Sequence, residues 1–262
     1  MGQRSPLQSF KLDVSQIFRV ADLIHSGTVS LQDIGQALAI GQRKVRSLRE
    51  WGCMANILEG SRSTTELYPY IRRLKETGKW LQVLQLVYYW LCRNNSIMGY
   101  VVHGYGGRGK FTVEELNKGL IESDVLSDMS EKNIKKGVNV TLNSLTDSQG
   151  LGNLGFIQKA TRGTNWYSVH PQRPDPFVAA YIIYTNWPPN TAKVAIKEIV
   201  SGRNGLGRIF FLDEIQVMTI LRKLEARGFV KIETVAGLNQ IGINPKLTPD
   251  DFLDMLINEV KQ

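Results

Sequence analysis

Between Val29 and Gly52 the chain reads VSLQDIGQALAIGQRKVRSLREWG. A short helix with apolar residues at Leu31, Ile34 and Leu38 runs into a turn at Ile40-Gly41, and a strongly basic helix follows from Gln42. This is the helix-turn-helix pattern, whose second helix can lie in a DNA major groove. On the second helix Val45, Leu48 and Gly52 fall on one side at helical spacing. Arg43, Arg46, Ser47 and Glu50 are expected on the opposite side, with Gln42, Lys44 and Arg49 flanking them. Four basic residues in the eight positions Gln42–Arg49, backed by an apolar stripe, suit a helix that touches phosphates and base edges. A charge run of this kind equally describes a solvated bundle face.

The charge distribution bears on that choice. Of the net +8, residues 1–75 carry +5, residues 76–172 carry +2 and residues 173–262 carry +1. The surplus thus sits in the segment with the helix-turn-helix pattern, as expected for contact with a polyanion.

The same outline recurs along the chain. Helices are predicted at Val14–His25, at the two stretches above, and then a hairpin whose strands are Met54–Glu59 and Thr64–Tyr70, with Arg62 in the connecting loop. A second copy has helices at Lys79–Arg93, Thr112–Ser123 and Ser130–Leu145, then strands Leu154–Ala160 and Asn165–His170 around a turn that holds Arg162. Its third helix presents Lys132, Lys135, Lys136, Asn139 and Asn143 outward. Trp80, Tyr88, Tyr89 and Trp90 are expected in a core. A third copy has helices at Pro176–Thr185, Thr191–Val200 and Asp213–Arg227, then runs Phe229–Thr234 and Gln240–Ile243 about an Ala236-Gly237-Leu238-Asn239 turn. The connection Gly202–Leu212, with an extended Ile209–Leu212, departs from helix-turn-helix spacing and marks this copy as the weakest DNA reader. Thr248–Val260 adds a last helix, and residues 1–12 read as a flexible lead. The expected fold is mainly α with short β-hairpin wings (α+β): tandem winged helix-turn-helix modules at 1–75, 76–172 and 173–262.

Several chemistries are disfavoured. Cys53 and Cys92 cannot build a disulfide framework, and with three scattered histidines (His25, His103, His170) they form no zinc pattern. A reducing cytoplasm follows as the expectation. No apolar run reaches the ~18 residues of a membrane span, and MGQRSP lacks a signal-peptide apolar region and a myristoylation motif. The glycine-rich stretches Gly104–Gly109 and Gly202–Arg208 lack the P-loop pattern and read as flexible connections, with Arg108, Lys110, Arg203 and Arg208 available for backbone contacts. Glu114-Glu115 and Asp250-Asp251 sit in helix first turns, where they complement the dipole. No nucleophile elbow or Cys-His pair stands out. The chain is therefore expected to be no enzyme and to need no metal or cofactor.

Three motifs carry a resemblance: Val45-Arg46-Ser47-Leu48-Arg49-Glu50-Trp51, Phe111-Thr112-Val113-Glu114-Glu115-Leu116, and Gly207-Arg208-Ile209-Phe210-Phe211-Leu212 with the helix that follows it to Leu224. In these, and from about residue 67 onward, the chain resembles an uncharacterised bacterial domain-of-unknown-function family with winged-helix character. That family is often encoded beside phosphorothioate DNA-modification and phage-defence genes. The resemblance implies a DNA-modification or defence setting and assigns no activity. The reading is a non-enzymatic binder of double-stranded DNA, a regulator or targeting subunit. Its contacts would come from Gln42, Arg43, Lys44, Arg46, Ser47 and Arg49, from Lys132, Lys135, Lys136 and Asn139, and from Arg62 and Arg162. Other proteins of such a complex are the further partners considered, and a homodimer is compatible with it. The alternative is a protein-interaction scaffold with little DNA affinity.

Overall fold

The computed structural model describes residues 10–106, 108–160, 165–235 and 238–259. The chain is mainly helical with small antiparallel sheets. It gathers into two compact units, one of residues 1–72 with 87–170 and one of residues 73–86 with 171–262. The first and middle segments expected from sequence therefore lie mostly in one unit.

The first unit begins with α1 (Val14–His25), α2 (Leu31–Leu38) and α3 (Gln42–Met54). Their starts are local chemistry: Asp13 and Ser30 each accept an N–H of the first turn, which the helix itself cannot satisfy. Helix α2 ends on Ala39 in the left-handed region, which makes the sharp turn into α3. Helix α3 packs on both α1 and α2. The hairpin that follows is much shorter than expected: β1 is Leu58–Glu59 and β2 is Ser63–Thr64. Met54 still belongs to α3, and from Leu67 the chain is already α4 (Leu67–Glu76). The reason is tertiary. Tyr68 is buried, and its hydroxyl donates to Asp22 on α1, which draws this stretch into a helix against the core.

Helix α5 (Trp80–Asn94) buries Val83–Leu91 almost continuously, Tyr88 and Tyr89 among them, while Trp80 and Trp90 are half-buried. Asn95 then caps α6 (Ser96–Tyr105), a helix absent from the expectation. Gly99 and Gly104 weaken its sequence signal. Gly99 is needed because a Cβ there would lie 2.9 Å from the Cys92 carbonyl. Strand β3 (Lys110–Thr112), helix α7 (Val113–Glu122), a 3₁₀ turn at Asp124–Leu126, helix α8 (Glu131–Leu145) and strands β4 (Ile157–Lys159) and β5 (Trp166–Val169) complete the unit. The expected capping at Thr112 is present, reinforced by Glu115. The sheet order is β3-β5-β4, so β5 pairs with a strand some 55 residues earlier as well as with its hairpin partner.

Of the expected flexible lead, the described residues 10–12 are anchored. Leu12 is buried with its N–H on Ser144 Oγ at 2.9 Å, and the Phe10 carbonyl accepts from Trp51 Nε1 at 3.0 Å.

The second unit holds α9 (Pro176–Thr185), β6 (Val194–Ala195), α10 (Ile196–Ser201), α11 (Leu206–Ile209), α12 (Glu214–Ala226), β7 (Val230–Val235), β8 (Leu238–Ile243) and α13 (Pro249–Asn258). Two expectations are corrected. Thr191–Val200 is an approach to a strand and then a short helix, and Ile209–Leu212 is the end of α11 and a turn with Phe211 in the left-handed region. The glycines of 202–207 are close-packing residues rather than a flexible connection. A Cβ at Gly205 would meet the Glu198 carbonyl at 2.6 Å, and one at Gly207 the Val200 carbonyl at 2.4 Å. The sheet order is β6-β8-β7. Strand, helices, then a hairpin whose last strand pairs with the first: this is the connectivity of β3-α7-α8-β4-β5 repeated. Helix α13 packs on α9. Phe252 stacks edge-on against Tyr184 and Phe229, and the buried Lys79 ammonium donates to the carbonyls of Leu256 and Glu259.

Candidate nucleic-acid interface

Three helices precede a hairpin: α3, α12 and, with a 3₁₀ turn at Leu151–Leu154 between, α8. On α3, Gln42, Arg43 and Arg46 are exposed and Lys44 is half-buried. Two neighbours differ from expectation. Ser47 and Arg49 are only 3% and 8% exposed. Packing of α3 against α1, α2 and β1 leaves a narrow open stripe, and these two side chains fall outside it. Arg49 Nη2 donates to the Val29 carbonyl, and burial pushes its guanidinium below the ordinary arginine pKa, with an opposing effect from Cys53. Ser47 and Arg49 are thereby withdrawn from the outward face. Arg62 is exposed in the β1–β2 connection. Arg162 and its turn lie outside the described residues.

On α8, Lys132, Lys135, Lys136 and Asn139 are all exposed, opposite the buried Ile134, Val138, Leu142 and Leu145. Lys135 lies 3.5 Å from Glu131 one turn earlier, an exposed pair of little energetic weight. Among the described residues Arg43, Lys44, Arg46, Arg62, Lys132 and Lys136 form no ion pair. The first turns of α3 and α8 also share a feature: neither receives a hydrogen bond from a capping side chain. Free amides at a helix N-terminus carry partial positive charge and suit an anion. Helix α12 contrasts with both. Its N-terminus is closed by Asp213 and Gln216 in a capping box, and its exposed residues are mixed, with Glu214, Ile215, Arg222 and Lys223.

Trp166 was not a candidate from sequence. It is 43% exposed at the start of β5, and Lys110 on β3 holds its ammonium 5.2 Å from the ring centre. Only the pairing of β3 with β5 brings these two together. Arg108 lies over the Tyr105 ring at 5.0 Å. Among the described residues no three His, Cys, Asp or Glu side chains are grouped to hold a metal ion, and no helix is long and apolar enough to cross a membrane.

This is a mainly helical α+β protein in which a strand, helices and a hairpin that pairs back on the strand follow one another in each unit. The chain belongs to the DUF4007 family, described as a protein of unknown function, whose model matches residues 18–257. No curated protein matches it significantly. Two solved structures resemble it in fold. The magnesium ion-bound SspB crystal structure is 16% identical with a TM-score of 0.73, over 95% of this chain and 85% of that one. A second SspB crystal structure is 15% identical with a TM-score of 0.72 over the same shares.

Proposed function

We propose that the chain is a non-enzymatic DNA-binding protein built from winged helix-turn-helix modules, acting as a regulator or targeting subunit in a bacterial DNA-modification or phage-defence system. The observation that carries this reading is the pair α3 and α8. Each precedes a hairpin, shows unpaired cations outward and starts without a side-chain cap. Arg43 and Arg46 would reach base edges or phosphates, Lys132 and Lys136 the backbone, and the uncapped amides a phosphate each. Trp166 with Lys110, and Arg62, would support the duplex from the hairpins.

The test is a titration of a short duplex over a salt series. Each phosphate contact contributes about −0.9 to the log–log slope. Arg43→Ala/Arg46→Ala and Lys132→Ala/Lys136→Ala should each weaken binding and flatten that slope. Weak binding with no salt dependence would overturn the proposal.

One observation favours the scaffold alternative. Ile215, at the head of α12, is 78% exposed, and a bare isoleucine suits a protein contact better than a phosphate. Co-purification of a partner at fixed ratio, lost in Ile215→Lys and unaccompanied by DNA affinity, would select it.

A further inference from the structure

The second unit contains a cavity of about 210 Å³ between the end of α9, β6, α10 and the Gly202–Gly205 turn. Ile182, Ile199 and Leu206 give it apolar walls, and Trp187 forms a side. The indole is held in place by its N–H, which donates to the Thr191 carbonyl at 2.7 Å. Two charged residues also line it, Glu198 and Arg203. The Glu198 carboxylate lies over the turn: its Oε2 would be 3.0 Å from a Cβ at Gly202. Glycine at 202 is required by the Glu198 carbonyl, which would lie 2.4 Å from a Cβ there, and it leaves the carboxylate unobstructed. Neither charge pairs with the other or with any described residue.

We infer that this cavity binds a guanine base, with Glu198 reading its edge and Arg203 meeting a phosphate outside. The volume is below the roughly 300–1,000 Å³ of drug-sized sites, so it admits one ring system and leaves ribose and phosphate at the mouth. Apolar walls and an indole suit a planar ring. A carboxylate only accepts hydrogen bonds, and guanine alone offers two adjacent donors, N1–H and N2–H, on one edge. Adenine and cytosine place a ring acceptor beside their amino group, and uracil flanks its N–H with two carbonyls that repel a carboxylate. Arg203 then supplies the charge that a nucleotide's phosphate requires. The base could be delivered by a free nucleotide or by a guanine turned out of a polynucleotide. The inference is independent of the α3 and α8 surface, which belongs to the other unit.

The test uses the full chain with guanosine monophosphate, its adenosine and cytidine counterparts, guanosine, and a labelled oligothymidine strand carrying one guanine, followed by calorimetry or strand anisotropy. Saturable binding of guanosine monophosphate about tenfold or more above the other two nucleotides is expected. Glu198→Gln should remove that preference at unchanged melting temperature. Arg203→Ala should weaken the nucleotide and leave guanosine unaffected. Binding of the free nucleotide identifies that source, whereas Glu198-dependent binding of the strand alone identifies a polynucleotide. Absence of saturation by any of these ligands, or binding indifferent to Glu198→Gln, would overturn the inference. Arg43→Ala/Arg46→Ala should leave nucleotide affinity intact, which separates this result from the fate of the DNA-binding proposal.

Discussion

The Arg49 guanidinium donates to the carbonyl of Val29, 20 residues earlier, and ties the connection between α1 and α2 to α3. One arginine of the basic run is therefore internal, while Arg43 and Arg46 on the same helix remain exposed. The two sets should respond oppositely to substitution. Arg49→Ala removes a charged hydrogen-bond donor from the Val29 carbonyl together with a packed stem, so a loss of ~1–3 kcal/mol is expected in urea denaturation. Arg43→Ala/Arg46→Ala should leave the denaturation midpoint in place and lower duplex affinity, by ~1–3 kcal/mol for each bidentate base contact removed. Equal stability loss in both variants would contradict this division.

Alkaline pH provides a second handle, through Tyr68. Burial, and then its hydrogen bond to Asp22, raise its hydroxyl pKa well above the ordinary value, with Arg72 opposing. Arg72 Nε lies 3.8 Å from the same carboxylate. A group whose pKa is raised on folding contributes stability that is present below its unfolded pKa and is lost as pH climbs toward the folded one. The urea midpoint should therefore fall once pH exceeds about 10, the unfolded tyrosine pKa. Tyr68→Phe should cost ~0.5–1.5 kcal/mol at neutral pH and make the alkaline fall shallower. The raised hydroxyls of Tyr105, Tyr167 and Tyr184 would retain the remainder. An identical alkaline profile in the variant would exclude this coupling.

Glycine substitutions separate the turn from the contact behind it. A Cβ on Gly35 would stand 2.8 Å from the Ile40 carbonyl, whereas one on Gly41 meets nothing within 4 Å. The Ile40 carbonyl belongs to the turn backbone and cannot yield without opening it. Gly35→Ala should destabilise by a net ~1–2 kcal/mol, overpacking outweighing the helix propensity gained. Gly41→Ala should cost less than ~1 kcal/mol, the value of a weaker N-cap. Thermal melts of the two variants would show whether α2 and α3 are as closely opposed as this.

Lys79 closes the C-terminal helix, with its ammonium 2.6 Å from the Glu259 carbonyl and also bonded to Leu256. Lys79→Met keeps the stem and removes the donors. A loss of ~1.5–3 kcal/mol is expected for hydrogen bonds to a charged group. Amide exchange should accelerate first in α13, and uniform protection there would argue against the cap.

Much of the helical framework was legible in the chain itself. Helix α1 coincides with the expected span Val14–His25, and the starts of α7, α12 and α13 fall where Thr112, Asp213 and Thr248 announce them. The hairpin β4–β5 lies within the two expected runs. The misreadings share a cause. Thr64–Tyr70 reads as an extended run, but from Leu67 it becomes helix through Tyr68 and Asp22. Helix α6 was obscured by Gly99 and Gly104, the first of which the Cys92 carbonyl requires, and α11 was hidden among Gly202–Gly207, whose role is close approach to α10. In the candidate interface the exposed cations of α3 and α8 followed from periodicity. Ser47 and Arg49 did not, because a helix clasped on two sides buries more than its apolar stripe.

Capping, turns and helical period depend on atoms within about four residues of one another, so the sequence alone determined where most helices begin and which face of each is apolar. It also determined that the positive charge concentrates in the first 75 residues. Tertiary structure decided what lies beyond that reach: the pairing of β3 with β5 and β6 with β8, the anchoring of residues 10–12, the juxtaposition of Trp166 with Lys110, and the withdrawal of Arg49 and Lys79 into the interior. A side chain's exposure is set by whichever surfaces pack around it, and those surfaces come from distant parts of the chain.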